Sequence, residues 1–176
     1  IITASAGTSN VRIGVNAGNS IQSGGNFNVA VGDEAGTAIT TGDNNVALGY
    51  AAGDAITTGS LNTYIGSTAG SASTTVSNNT AIGAFALDAG SGGDNTAVGS
   101  GALGGSSNSG TDNVAIGKDA GNAISSGVQN ILVGNAAGDA ITTGNSNVSV
   151  GHGSLGLNTA SHRNTAVGEF ALAALN

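Results

Sequence analysis

Hydrophobic and polar positions alternate in one short pattern that recurs along nearly the whole chain. Each copy reads Asn, a β-branched residue, a mostly small residue, an aliphatic residue and Gly, as in Asn45-Val46-Ala47-Leu48-Gly49. Successive copies are 16 to 18 residues apart. An interval this regular is the signature of a repeat architecture. Ten asparagines begin the copies: Asn10, Asn28, Asn45, Asn62, Asn79, Asn95, Asn113, Asn130, Asn147 and Asn164.

Positions within a repeat are counted here from this Asn, which is position 0. Positions +1 to +3 predict a short strand, because β-branched and aliphatic residues alternate there. Position +3 is aliphatic in every copy, and the side chains at +1 and +3 lie on the same face of a strand. We therefore expect the +3 residues to form the core: Ile13, Val31, Leu48, Ile65, Ile82, Val98, Ile116, Val133, Val150 and Val167.

The remaining positions predict corners and a second strand. Gly at +4 in every copy indicates a corner with positive φ, and the varied residues at +5 indicate exposure. Position +7 is Ala in all copies except one, which has Ser154, so we expect close packing there. In several copies an Ile at +11 opens the phrase Ile-Thr-Thr-Gly, which predicts a second strand and its turn. Where this Ile is missing, a Leu at +8, such as Leu87 or Leu103, is expected to supply the apolar volume.

Two strands and two turns in about 17 residues predict one coil of an all-β parallel solenoid, with coils about 4.8 Å apart. Ten coils over residues 10–176 would form a single repeat domain, and residues 1–9 would end a preceding coil or lead into the first one. Stacked coils would place the ten asparagines above one another in an amide ladder. Three aliphatic side chains per coil bury little surface for the residues that must be ordered, so we predict a homo-oligomer and favour a trimer.

The repeat resembles that of a known family. Asp43-Asn44-Asn45-Val46-Ala47-Leu48-Gly49 and Asn113-Val114-Ala115-Ile116-Gly117 are similar to the head repeats of trimeric autotransporter adhesins and to repeat arrays of phage tail fibres and bacterial fibre proteins. The resemblance extends over residues 10–172. It implies a left-handed β-roll, three of which pack around a threefold axis. It also implies a structural or adhesive role in an extracellular fibre, on a cell surface or a virion, with a host-surface or matrix ligand.

Composition and charge narrow the possible functions. Only 7% of the residues are charged, and the net charge is -7 with Arg12, Lys118 and Arg163 as the only strong cations. Binding to nucleic acid needs clustered Lys and Arg, so it is not expected. No apolar run approaches the roughly 18 residues of a spanning helix, so we expect no membrane insertion of this segment. The absence of Cys excludes disulfides and thiolate metal sites.

Residues capable of catalysis or metal binding are few. His152 falls at the exposed +5 position, and His162 falls in a predicted turn. Asp54 and Asp139 each stand in Gly-Asp-Ala-Ile-Thr-Thr-Gly, but the nonapeptide of calcium-binding β-rolls is absent. Regular stacking of coils offers no cleft. We therefore predict no catalytic residues, no metal site and no cofactor, and we expect that the protein is not an enzyme.

A row of hydroxyl side chains at +12 supplies an alternative function. Stacked Thr on a flat solenoid face resembles ice-binding proteins, although such hydroxyls can equally satisfy backbone groups beside a turn. The possible ice- or ligand-facing row consists of Thr40, Thr57, Thr74, Ser91, Ser107, Ser125, Thr142 and Thr159. A purely structural shaft without a ligand is the other alternative.

Overall fold

The chain folds as a parallel β-solenoid. The computed structural model describes residues 6–105, 108–157 and 159–173, and within these ranges it contains ten strands in one parallel sheet and no helix. The strand order in the sheet follows the chain. The strands are β1 (Val11–Ile13), β2 (Val29–Val31), β3 (Val46–Leu48), β4 (Thr63–Ile65), β5 (Thr80–Ile82), β6 (Thr96–Val98), β7 (Val114–Ile116), β8 (Ile131–Val133), β9 (Val148–Val150) and β10 (Thr165–Val167). The predicted all-β solenoid with coils of about 17 residues is confirmed.

Equivalent residues of successive coils lie directly above one another. In β2 and β3, Ala30 pairs with Ala47 and Val31 with Leu48. Hydrogen bonds between coils continue beyond the strands: the Gly36 amide donates to the Ala52 carbonyl at 2.9 Å. Because most of the backbone of each coil is bonded to its neighbours in this way, the stack needs no second sheet.

The prediction of a second strand in each coil is wrong. Among the described residues each coil contains one strand, and a single isolated bridge joins Gly90 to Asn108. The backbone before Ile-Thr-Thr-Gly turns instead of extending, since the Ile39 amide donates back to the Gly36 carbonyl at 3.1 Å and Gly36 has a φ of +56°. The phrase itself still bonds to the next coil without forming a strand.

The assignment of the +3 aliphatic residues to the core is also wrong. Leu48 is 42% exposed, whereas its neighbour Ala47 is fully buried. Side chains alternate along a strand, and Asn45 at position 0 points inward, so position +2 must also point inward and +1 and +3 outward. The residues that therefore lie on the outer face are Ile13, Val31, Leu48, Ile65, Ile82, Val98, Ile116, Val133, Val150 and Val167, all exposed or half-buried.

The interior is narrow and is filled by small residues with one large side chain in most coils. Alanines at +2 and +7 line it, and Ile39 and Ile56 at +11 are buried. Where +11 is not Ile, Leu87 and Leu103 at +8 are fully buried, as expected. The coil that begins at Asn62 uses a third arrangement. Its residues at +8 and +11 are Gly70 and Ser73, which are too small to fill the interior. The fully buried ring of Tyr64 at +2 fills that space instead.

Glycine at +4 is required by two separate conditions. Gly49 has a φ of +131°, a backbone conformation that residues with a side chain rarely adopt. A Cβ atom at this position would also stand 2.7 Å from the Gly66 carbonyl oxygen of the next coil. The predicted corner is therefore confirmed, and the glycines stack in a column too close for any side chain.

Candidate functional site: the outer face of the strand sheet

The asparagines at position 0 form the predicted ladder on the inner side of the strands. The Asn28 side-chain oxygen accepts hydrogen bonds from the Asn45 backbone amide at 2.9 Å and from the Asn45 side-chain amide at 3.1 Å. The Asn45 side-chain amide also donates to the Gly59 carbonyl at 2.9 Å. The same oxygen-to-amide bond to the backbone recurs from Asn10 to Asn164. The ladder holds the strand and the following turn together, and it is inaccessible to a ligand.

The outer side of the same strands is an apolar face, formed by the +1 and +3 residues of β1 to β10. These twenty positions hold sixteen Val, Ile or Leu residues and four Thr residues, and none of them is charged. In β7, for example, Ile116 is 41% exposed. No other described part of the chain packs on this face, since every coil carries its single strand in the same sheet. We call this surface the outer strand face.

The columns that flank the outer strand face carry large apolar side chains in the first half of the chain, where these alternate with polar residues such as Asp33 and Asn44. Phe27 and Leu61 occupy the position before the Asn, and Val15 and Tyr50 occupy +5. All four are more than half exposed. In the second half of the chain the same columns are polar, and Lys118 at +5 pairs with Asp119 at 3.3 Å. The exposed +5 column was predicted correctly.

The hydroxyl row at +12 is bonded to the backbone. The hydroxyl groups of Thr40 and Thr57 each donate to the carbonyl one coil further on at 3.0 Å, and that of Thr142 does so at 2.9 Å. Ser125 makes the same bond at 3.2 Å. This is the backbone-satisfying arrangement that was expected as the alternative to a ligand-facing row.

One member of that row, Ser107, lies outside the described residues. Beside this gap, the Ser109 hydroxyl donates to the Ser125 carbonyl at 3.1 Å, and the Ser91 hydroxyl donates to the Asn108 carbonyl at 3.4 Å. The coil that begins at Asn95 is two residues longer than the coil before it and one longer than the coil after it, and Ser109 makes its bond from position +14 instead of +12.

The histidines and carboxylates are dispersed along the surface. His152 is exposed and lies 3.4 Å from Glu169, and the ring nitrogen of His162 accepts a hydrogen bond from the Asn145 amide at 3.0 Å. Across the described ranges, no group of three or more His, Cys, Asp or Glu side chains is placed to hold a metal ion. Burial raises the pKa of Asp54 and Asp139, and backbone hydrogen bonds partly offset this effect.

The outer strand face is the feature of this surface that the sequence pattern did not predict. Aliphatic side chains at +1 and +3 were assigned to the interior because apolar residues are usually buried. The signal that could have corrected this was the invariant Asn, which shares a face with +2 and needs buried partners. Within the described part of the chain, there is no helix with the length and apolar character needed to cross a bilayer.

The fold and this face define the class of the protein as a parallel β-solenoid with an uncovered apolar sheet. Comparison of the chain with known protein families, with curated proteins and with solved structures found no match.

Proposed function

We propose that the chain is a rigid segment of an extracellular fibre, with a structural and adhesive role, and that copies of it associate through the outer strand face as a homotrimer. The observation that carries this proposal is the charge-free column of aliphatic residues on the outside of the solenoid. Exposure of such a surface to water is unfavourable in free energy, and extended exposed apolar patches are often interaction sites.

A second copy of this chain is the occupant that the geometry favours. The outer strand face repeats at every coil over roughly 48 Å, at about 4.8 Å per strand. A partner that contacts the whole face must present contacting residues at the same interval. A second copy of this chain has this interval because it has the same coils. Strands of three residues give a face only about 10 Å wide, or on the order of 500 Å² in projection, which is below the roughly 800 Å² per partner of a stable interface.

The flanking residues therefore contribute to the proposed interface. Phe27, Leu61, Val15 and Tyr50 widen the apolar surface in the first half of the chain. The resemblance to trimeric adhesin heads favours three copies over two. In this arrangement the turns and the polar +5 residues of the second half stay outside, where a host-surface or matrix ligand can reach them.

Charge substitutions on the outer strand face test the association. We expect the double variant Leu48→Glu/Ile116→Glu to remain folded but to become monomeric, because both side chains point away from the coil interior and a buried unpaired charge is costly. The matched control is Thr58→Glu/Ser126→Glu, which adds the same charge at exposed +13 positions of the same two coils, away from the outer strand face and its flanking columns, and should stay oligomeric. Circular dichroism and light-scattering mass measure both properties. An unfolded Leu48/Ile116 variant would show that these side chains belong to the interior.

The adhesive role needs a separate measurement. The folded oligomer is expected to be retained on immobilised matrix glycoproteins or host cells, and the monomeric variant to be retained less, because it loses multivalent contact. No retention of the oligomer on any such surface would favour a shaft without a ligand. For the ice-binding alternative we expect no thermal hysteresis, because the +12 hydroxyl groups donate their hydrogen bonds to backbone carbonyls. Clear thermal hysteresis would overturn the adhesive proposal.

A further inference from the structure

A small pocket opens on the side of the solenoid near its last described coils, beyond the +5 column that flanks the outer strand face. Its volume is about 360 Å³, which is at the small end of ligand-binding pockets. Two glycines, Gly153 and Gly156, occupy positions +6 and +9 of the coil that begins at Asn147, and they form the floor. The coils on either side provide the walls.

Among the described residues of the next coil, the Phe170 ring lies against Gly153, where a Cβ atom would stand 2.7 Å from it, whereas the nearest atoms around Gly156 belong to Gly153 and Asp139. The coil that begins at Asn95 also has glycines at +6 and +9, Gly101 and Gly104. There the following coil places Asp119 against Gly101, and the Asn122 side chain donates to the Gly101 carbonyl at 3.0 Å. In the last coil the residue equivalent to Asn122 is Ala173, which is too short to make that bond.

The walls combine apolar surface with an acidic group. The Phe170 ring is 57% exposed and lies 4.8 Å from the His152 ring, measured between centroids. Leu157, which is 71% exposed, forms another wall. The polar side chains at the pocket are the Asp139 carboxylate and the imidazole of His152, and no Lys or Arg is among the lining residues. Glu169, bonded to His152, adds a second negative charge at the rim.

We propose that this pocket binds a small organic cation, an ammonium group that carries apolar substituents. An aromatic face attracts such a cation through its quadrupole, and a carboxylate adds a charge-assisted contact. The apolar substituents would contact Leu157 and the alanines of the walls. Burial raises the pKa of Asp139, and the nearby charge of Asp119 contributes further, so a bound cation would relieve an unfavourable local field.

A pair of nearly isosteric probes tests the charge requirement. Choline carries a quaternary nitrogen where uncharged 3,3-dimethylbutan-1-ol carries a carbon atom, and both can be titrated by ligand-detected NMR. We expect choline to bind about two- to fivefold more tightly, since that ratio corresponds to a cation–π contact at an exposed site. Equal affinity for the two probes, or no binding of choline, would overturn the proposal.

Two substitutions locate the binding. Asp139→Asn removes the charge with little change of shape and should weaken choline binding severalfold. Asp88→Asn is the matched control. Asp88 is at +9 of its coil, as Asp139 is, and an exposed Phe85 lies nearby, but in the next coil Gly101 is covered by the Asn122 side chain. It should leave choline binding unchanged. Equal weakening by both substitutions would indicate a non-specific effect of net charge and would contradict the proposed site.

Closing the pocket provides a test that does not alter charge. Ala173→Asn should reproduce the covering amide of Asn122 and abolish choline binding. Unchanged binding to this variant would place choline elsewhere. None of these residues belongs to the outer strand face, so the mass of each variant can be measured in the same samples. Loss of choline binding with an intact oligomer, or the reverse, separates this inference from the proposed function.

Discussion

At the scale of single residues, the Asn at position 0 connects three parts of the fold. Asn113 donates to the Gly127 carbonyl in the turn of its own coil at 2.9 Å and accepts from both amides of Asn130 at 3.0 Å. Because all of these groups are buried, each bond that is removed leaves a polar group without water or a protein partner.

Substitution of one ladder residue should therefore be severe. We expect Asn113→Ala to lower the free energy of unfolding by about 3 kcal/mol or more, since three buried partners lose their bonds at about 1–3 kcal/mol each. Chemical denaturation at a fixed protein concentration measures the change. Asn135→Ala is the control, because Asn135 lies at the exposed +5 position, and it should change stability by less than about 0.5 kcal/mol. Similar effects of the two substitutions would contradict the structural role of the ladder.

The sequence predicts the ladder and the +4 glycines well, because a single residue type can fill each position. It does not directly indicate which side of the strand faces inward. Ala47 and Leu48 are both apolar, and the larger one was taken as the core residue. Ile56 is buried in the same coil as Ala47, but the interior is not restricted to small side chains at +2, since Leu132 is buried at that position in a coil that also buries Ile141.

At the scale of one coil, the interior usually holds one large apolar side chain, which different positions supply. Five coils use an Ile at +11, one of them with Leu132 buried as well, and three use a buried Leu at +8. The coil that begins at Asn62 uses Tyr64 at +2, and a Cβ atom on Gly70 would stand 2.6 Å from its ring. The sequence predicts the first two arrangements but not the third, because a single Tyr among mostly small residues at +2 does not indicate that its ring fills the interior.

This interpretation predicts that one substitution can rescue another. Tyr64→Ala should cost about 3–5 kcal/mol, because it leaves a cavity in the coil. Adding Ser73→Ile to that variant should recover most of the loss, since it recreates the Ala47, Gly53 and Ile56 arrangement of the preceding coil.

Thermal melting of the two single variants and the double variant measures the coupling. Ser73→Ile alone is expected to destabilise the protein, because the added side chain would overpack against Tyr64 and the Ser73 bond to the Gly90 carbonyl would be lost. Additive losses in the double variant would contradict the idea that the coil fills one common volume.

At the scale of the whole molecule, one side of the solenoid is apolar and the remainder is weakly acidic. The sequence could not separate an interior column from an exposed column, because both are apolar and repeat at the same interval. The prediction of a second strand is wrong for a related reason. The residues of Ile-Thr-Thr-Gly are typical of an extended strand, but in the described coils they bond to the next coil without forming a regular strand.

The acidic character predicts an unusual dependence of stability on pH. Burial raises the pKa of Asp54, Asp88 and Asp139 above the ordinary value, and nearby Glu34 and Asp119 add to this for Asp54 and Asp139. A raised pKa in the folded state means that protonation favours folding. The contribution to stability is complete below the unfolded pKa and is lost as the pH rises through the folded pKa.

We therefore expect the melting temperature to rise when the pH is lowered from 7 towards 4. The triple variant Asp54→Asn, Asp88→Asn, Asp139→Asn should melt higher than the native chain at pH 7 and should show a flatter profile over this range. Coincident profiles for the two proteins would show that these carboxylates do not carry the effect.

The solution mass of the native protein is the most direct measurement of the central claim, which is that the aliphatic column outside the solenoid is covered by further copies of the chain. Sedimentation equilibrium over a wide range of dilution is expected to give three times the chain mass of 16.4 kDa. A folded monomer of 16.4 kDa at all concentrations would contradict the claim.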